Sequence, residues 1–550
     1  MTATTIFRAR TIHTMNPSRP RGQAVAVRDG RVLGVGTVDE LLEWGEAAID
    51  DRFRDRVLLP GFVEAHSHSA EGALWGFSYV GYFDRNDPSG KTWKATRSID
   101  DLVDRLREAD ARLSDPSQPL IAWGFDPIYF SGARLAASDL DRVSSTRQIF
   151  VLHASLHIGT VNSALMSAYG IGRSTDVEGV VKGKDGTPTG ELQELQGMGI
   201  AKQIVAILMQ RFTSPDAIRD LARCARNAGV TTFSELGTLP LGSADLVAMI
   251  EKVVSDPLFP GRFVPFGNPL IGLPADPAAA AQVLVDLRER NTDKLFFGNV
   301  KLVLDGSIQG FSAKLRWPGY FHGPDQGAWN MSPAQVPEIA LAFHSRGLLI
   351  HAHCNGDLTT ELFINAVEYI LEQHPRWDHR HTVQHCQLAT NAMYRRMKAL
   401  GMCANIFTNH IYYWGDQHRD ITVGPDRAAM MNSPAMAQRA GVQFALHSDA
   451  SVTPLGGLHL AWTAANRLTA SGRVLNELDR ITVPDALDAV TIGPAYQLKL
   501  DAEVGSIEVG KFADFAVLDD DPFALDPVEL KNVGVWGTVV GGVPFQAEGR

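Results

Sequence analysis

The chain has 550 residues, 45% hydrophobic and 21% charged, with a formal net charge of −11. That balance belongs to an ordinary globular protein, and the length allows roughly two to four domains, unless one α/β barrel absorbs most of it. The acidic balance and the lack of a basic run argue against a nucleic-acid partner. No apolar stretch is long enough to span a bilayer, so a membrane partner is not expected either. The start, MTATTIFRARTIHTM, lacks the apolar core of a signal peptide. The four cysteines, Cys224, Cys354, Cys386 and Cys403, are scattered without a framework, which fits a reducing cytoplasm.

Residues 1–56 read as short strands, with a hairpin turn at Asp29-Gly30. The stretch VLLPGFVEAHSH at 57–68 follows. An apolar run breaks at Pro60-Gly61, resumes at Phe62-Val63 and ends in His66 and His68. Residues two apart on a strand share a face, and two neutral imidazoles side by side suit one transition-metal ion. Alone, H-x-H is more often a pair of exposed polar residues. Here it ends an apolar strand early in a long α/β pattern, which favours the metal reading.

Strand-like and helix-like runs then alternate. The strand-like ones are GVTTFSEL (229–236), RFVPFGN (262–268), FFGNVKLVLDG (296–306), GLLIHAHC (347–354), HTVQHCQL (381–388), MCANIFTN (402–409) and VQFALHSD (442–449). With the stretch before His66 they make eight, which predicts a closed parallel (β/α)8 barrel of the TIM type over 57–499. The first gap is too long for a βα loop, so residues 75–215 are expected to form an inserted subdomain over the barrel mouth. Its start is rich in aromatics, Trp75, Phe77, Tyr79, Tyr82, Phe83 and Trp93, expected either to wall an apolar substrate pocket or to serve as packing of the insertion. Residues 500–550 are β-rich and Gly-punctuated like 1–56, and the two ends would bury each other's apolar faces in a small β-sandwich.

Active sites of such barrels lie at the C-terminal ends of the strands. The ionisable residues there are few: His66 and His68, Lys301, His351 and His353, His385, and His447 and Asp449. Glu235, at the end of the second strand, is a reserve carboxylate. Lys301 sits inside the apolar run VKLVL, and a buried unpaired ammonium costs several kcal/mol. Either it snorkels or pairs with Asp305, or its pKa is lowered and the neutral amine is used. Asp449 is expected as the proton shuttle, with a helix N-cap in SDAS as its plain structural alternative. His351 is read as a residue behind the ligands. His410, Tyr412, Tyr413 and Trp414, after the seventh strand, either line the pocket or pack the loop.

PGFVEAHSH resembles the first barrel strand of the amidohydrolase superfamily. VKLVLDGSIQG (300–310), HCNGD (353–357), VQHCQL (383–388), HSDASVTP (447–454) and VGSIEVGKFADFAVLD (504–519) are similar to its amidohydrolase-3 branch, the group with N-substituted formamide deformylase and YtcJ-like proteins. The resemblance implies the β-sandwich from both termini and a two-metal centre. His66, His68 and Asp449 would hold one ion, His353 and His385 the other, and a carbamylated Lys301 would bridge them. Imidazole and carboxylate ligands suit zinc, with manganese, iron or nickel as substitutes. His157, in LHIGTVNS, also matches the family pattern and is a candidate substrate contact, with His410 and Trp414.

The expected activity is metal-dependent hydrolysis of a non-peptide carbon–nitrogen bond, amide-type, in a small, mostly apolar N-substituted formamide or N-acyl amine. A deaminase is the first alternative. Its pattern places a glutamate three residues after the strand-five histidine, where this chain has Gly356. An esterase, a decarboxylase and a non-catalytic scaffold are the others, and a scaffold would have lost ligands that this chain keeps. A homo-oligomer, a dimer, is expected.

Overall fold

The computed structural model describes residues 3–130 and 134–549. They fall into two compact units, one formed by 1–68 with 222–550 and one by 69–221.

In the first unit the two chain ends share one seven-stranded sheet. Val57–Pro60, the end of the long strand Ala47–Pro60, pairs antiparallel with Phe515–Leu518, and the same strand pairs in parallel with Thr4–His13. Phe7, Phe53, Phe515, Val517 and Val539 form its buried core. Both faces of Thr4–His13 are covered: Phe7 lies in this core, and Ile6, on the other face, packs with Ala24, Ala26 and Leu41.

The second sheet of this unit has eight strands, hydrogen-bonded to one another in chain order and all parallel. Barrel strand 1 is Phe62–Glu64, strand 2 Val230–Leu236, strand 3 Arg262–Gly267 and strand 4 Asn299–Val303. Strand 5 is Leu349–Cys354, strand 6 Thr382–His385, strand 7 Cys403–Ile406 and strand 8 Gln443–Leu446. Past the ends of strands 1 and 8, Ser67 and Ala450 form a parallel bridge. His68 N–H donates to Ala450 O at 2.6 Å and Asp449 N–H to His66 O at 3.1 Å. Those bonds bring the first and last strands together, giving a nearly closed TIM-like barrel. Amphipathic helices alternate with the strands; Ala244–Val254 buries Leu246, Val247, Ile250, Val253 and Val254, the spacing of one helical face.

The sequence suggests one strand through the Pro-Gly bend, running to the histidines. The structure has two strands in two different sheets, with Gly61 between them. A Cβ at Gly61 would lie 2.0 Å from Thr231 Oγ1, so only glycine fits where the chain passes from one sheet to the other. Strand 1 also stops at Glu64, and His66 and His68 lie on the bend beyond it.

The second unit has its own six-stranded sheet. Trp75, Phe77, Tyr79 and Trp93 pack into its core with Trp123; the ring centroids of Trp75 and Tyr79 lie 5.1 and 4.9 Å from that of Trp123. The Arg85 guanidinium lies over Trp123 and pairs with buried Glu71. Tyr82 stacks on Tyr129 at 4.7 Å. The aromatics expected as pocket wall are therefore, first of all, this unit's own packing. Among the described residues no helix is long and apolar enough to cross a membrane.

Candidate metal centre

Six of the residues picked from the sequence meet at the carboxyl ends of the barrel strands. His66 Nε2 and His68 Nε2 both lie 3.2 Å from Asp449 Oδ1. Lys301 Nζ is 3.3 Å from His66 Nε2. His385 Nδ1 is 3.7 Å from Asp449 Oδ2, and His385 Nε2 lies 2.9 Å from His353 Nδ1. His66, Lys301, His385 and Asp449 are buried, while His68 and His353 are partly exposed.

The backbone is unusual where ligands are needed. His385 has φ +70°, Cys386 +49° and Asp449 +51°. Such values are uncommon away from glycine and cluster where a site imposes them. At His385 the turn breaks the two-residue alternation of strand 6, so both Gln384 and His385 reach the interior cluster. Asp449 caps no helix: the next one starts at Gly457, with Gly456 as its cap. The N-cap alternative for Asp449 is thereby removed.

The donors fit a divalent cation. His353 Nε2 lies 3.1 Å from both Gly306 O and Asn355 Nδ2; in the tautomer where Nε2 donates to Gly306 O, the Nδ1 lone pair faces His385 Nε2. Two nitrogens aimed at one point 2.9 Å apart suit an ion between them. On the other side two imidazole nitrogens, a carboxylate oxygen and an amine converge, a mixed N/O set typical of zinc-like metals. His66, His385 and His447 also bring ring nitrogens within 4.8 Å of one another. Yet His447 stacks flat on His66, with 4.5 Å between centroids and 11° between planes. The two rings lie in nearly parallel planes, so in-plane lone pairs from both do not meet at one point, and His447 is read as a stacking partner. Both of its ring nitrogens are buried without a hydrogen bond.

Electrostatics follow from this crowding. Burial lowers Lys301 to about 7, against the pull of Asp449. Burial would raise Asp449, but the surrounding imidazoles hold it well below the usual carboxylate range. Burial would lower His68, yet the neighbouring carboxylates of Asp449 and Glu235 keep it up at about 9. Burial also holds His66 and His385 well below the ordinary histidine value.

Other expected residues stand apart. Lys301 neither snorkels nor pairs with Asp305. Asp305 instead accepts from Lys314 N, Asn355 N, Gly356 N and Thr359 Oγ1, and so holds the loop after strand 5. Glu235 accepts from Thr238 and Leu239 and lies 3.8 Å from His68 Nδ1. His351 is buried, with Nδ1 accepting from Gln384 at 2.7 Å. His410 is buried, its ring 4.1 Å from that of Phe407, and Trp414 is buried 5.7 Å from His410. His157 is half exposed and pairs with Glu194 at 3.0 Å.

Sequence reading missed Glu64 and Gln384. Glu64 accepts from His66 N, Ser448 N and Ser448 Oγ, fastening the His66 bend to the end of strand 8; burial raises its carboxyl to about 8. An acidic residue inside PGFVEAHSH was the available signal, since a buried carboxylate there needs partners.

A parallel eight-stranded barrel whose strand ends gather imidazoles and carboxylates suited to a divalent ion defines a class, the metal-dependent barrel hydrolases. The chain belongs to the amidohydrolase family, whose profile matches residues 54–545. It is 26% identical over 547 residues to the putative amidohydrolase YtcJ of Bacillus subtilis, covering 96% of this chain and 97% of that one. It is 25% identical over 553 residues to N-substituted formamide deformylase of Arthrobacter pascens, covering 97% and 96%. A metal-dependent hydrolase from Pyrococcus horikoshii shares the fold, with a TM-score of 0.70 at 18% identity over 96% of this chain and 99% of that one.

Proposed function

We propose that the protein hydrolyses a carbon–nitrogen bond of the amide type in a small N-substituted formamide or N-acyl amine, using two divalent metal ions, zinc by preference. The observation that carries this reading is the convergence of His66, His68, Lys301, His353, His385 and Asp449 at one end of the barrel. In it His66, His68 and Asp449 hold one ion, His353 and His385 the other. When bound, the ions supply an acidified water, with a pKa brought from about 15.7 toward 7, and polarise the scissile carbonyl.

The chain's own groups do the rest. Lys301, held near 7, offers a neutral amine. That amine would add to carbon dioxide with loss of one proton, giving a carbamate whose single negative charge is shared by two oxygens available to the two ligand sets. Asp449 stays ionised among its imidazoles, so it accepts the proton of the attacking water and returns it to the departing amine nitrogen. The N-substituent is read as apolar; Tyr412, Tyr413 and Trp414 on the helix Asn409–Gln417, with His410, are the candidate wall. His157 is kept as a candidate contact. The name of the deformylase relative supports the amide class. The terminal sheet is read as the β-sandwich domain and residues 75–215 as the inserted subdomain. Four buried cysteines with no disulfide among them fit a cytoplasmic protein.

Deamination is disfavoured by one local feature. A side chain at Gly356 would start 2.0 Å from Lys314 O and 2.9 Å from Asp305 Oδ2, so the glutamate of the deaminase pattern has no room. The test is turnover of matched N-formyl and N-acyl amines by metal-loaded protein. The expected result is amine release that stops on chelation and is faster for aryl or long-alkyl substituents. Ammonia release from aminated heterocycles, with no amide turnover, would overturn the proposal.

A further inference from the structure

We infer that Gln384 is a positioning residue that fixes the tautomer of His66, so that the Nε2 lone pair points into the metal centre; this rests on the reading of His66 as a ligand. A neutral imidazole carries one proton, and whichever nitrogen holds it cannot bind a metal. His66 Nε2 faces the cluster, at 3.3 Å from Lys301 Nζ and 3.2 Å from Asp449 Oδ1. Its proton must therefore sit on Nδ1, and Nδ1 lies 2.6 Å from Gln384 Oε1.

The carboxamide is itself clamped. Asn405 Nδ2 on strand 7 donates to the same Oε1 at 2.9 Å. Gln384 Nε2 donates to His351 Nδ1 on strand 5 at 2.7 Å. Gln384, Asn405 and His351 are all fully buried, so no solvent competes for these bonds. The oxygen end is shared by two donors and the nitrogen end faces an acceptor. A flipped amide would set N–H against the Nδ1 proton that ligation by Nε2 demands. One side chain thus ties the ends of strands 5, 6 and 7 to the bend after strand 1.

This also accounts for two observations that the ligand set leaves over. His351, on the same face as His353, is engaged as the acceptor of the clamp. And the partner behind His66 is a neutral amide, where ligating histidines often have a carboxylate. The amide sets the tautomer without adding negative charge to a centre that already holds Asp449, Glu235 and the expected carbamate.

The test separates this inference from the metal reading. Nitrogen-15 spectra of histidine-labelled, metal-free protein report the tautomer directly, with His66 assigned by the signal lost in His66→Asn. The wild type is expected to show Nδ1–H, and Gln384→Met a mixture or the other tautomer. Zinc affinity, read by competition with a chromophoric chelator, is expected to fall 10- to 100-fold at one of two positions in Gln384→Met, the usual effect of losing a partner behind a ligand. Gln384→Glu, which keeps an acceptor oxygen, is expected to restore it. His66 carrying Nε2–H in the wild type overturns the inference without any variant, and so does unchanged zinc affinity in Gln384→Met. A wild type that binds no divalent ion overturns the metal reading itself, and the positioning role with it.

Discussion

At the scale of single residues, the centre depends on two groups whose protonation is set by neighbours. Asp449 is surrounded by the rings of His66, His68 and His385. Asp449→Asn preserves size but removes the base, and kcat should fall by about 10²-fold or more, the scale of a lost general base. The measurement needs metal content beside kcat; a variant with both ions and near-normal turnover assigns the proton to another group. Lys301 makes a prediction with a definite sign. Its folded pKa is lowered to about 7, so the amine is charged and unreactive below that pH and neutral above it. Reconstitution of metal-free protein with zinc and bicarbonate should therefore improve as pH rises from 6 to 8, and Lys301→Met should abolish the dependence on bicarbonate. A flat profile in the wild type would count against the carbamate.

At the scale of elements, the barrel was legible because each strand is an apolar run ending in a polar residue, and helices with one apolar face separate them. The ligand candidates were legible for the same reason: burial makes an ionisable residue in such a run conspicuous. What was not legible depends on backbone detail. Val57–Glu64 reads as one interrupted strand because periodicity cannot say which sheet a residue joins. The crossing at Gly61 is fixed by its contact with Thr231, some 170 residues on. Gln384 was hidden because strand alternation should point it away from His385, and only the left-handed backbone at His385 lets both turn inward. The aromatic run after His68 suggested a pocket wall; composition cannot separate that from the core of the second unit, where Trp75 and Tyr79 lie against Trp123. The loop after strand 5 gives a prediction at this scale. Asp305 gathers Lys314, Asn355, Gly356 and Thr359 around one buried carboxylate. Gly356→Ala places a methyl 2.0 Å from Lys314 O and should destabilise the fold by about 1–3 kcal/mol, the usual cost of overpacking. Urea unfolding measures it; an unchanged midpoint would mean the loop gives way, and would reopen the glutamate position of the deaminase alternative.

At the scale of the whole molecule, two groups of histidines occupy opposite ends of the barrel strands. The carboxyl ends hold the candidate metal ligands. At the other end, beside the starts of strands 5, 6 and 7, lies a chain of neutral histidines. His344 Nε2 donates to His374 O at 2.7 Å, so its Nδ1 accepts from His381 Nε2 at 2.8 Å, while His381 Nδ1 accepts from Ile350 N at 3.1 Å. His379 Nε2 donates to Leu400 O at 2.7 Å and its Nδ1 accepts from His381 N at 3.0 Å. Each ring nitrogen has one partner suited to the neutral form, and an added proton would set donor against donor. Burial lowers all three, His379 to about 4, with Arg376 opposing the charged form as well. The sign follows by linkage. A histidine whose folded pKa lies below its unfolded value near 6.5 binds more protons when unfolded, so its contribution is full above 6.5 and is lost as pH falls toward 4. His379→Gln keeps a donor for Leu400 O and cannot titrate. Between pH 7 and pH 5 the wild type should lose about 1–2 kcal/mol more stability than this variant, from a slope near 1.4 kcal/mol per pH unit per proton. Urea titrations of both proteins at the two pH values measure the difference. Because the ligand cluster is unchanged in His379→Gln, its zinc content at pH 7 should match the wild type. Equal losses on acidification would show that His379 titrates alike in the folded and unfolded chain, and the acid sensitivity would then rest with His344, His381 or other buried groups.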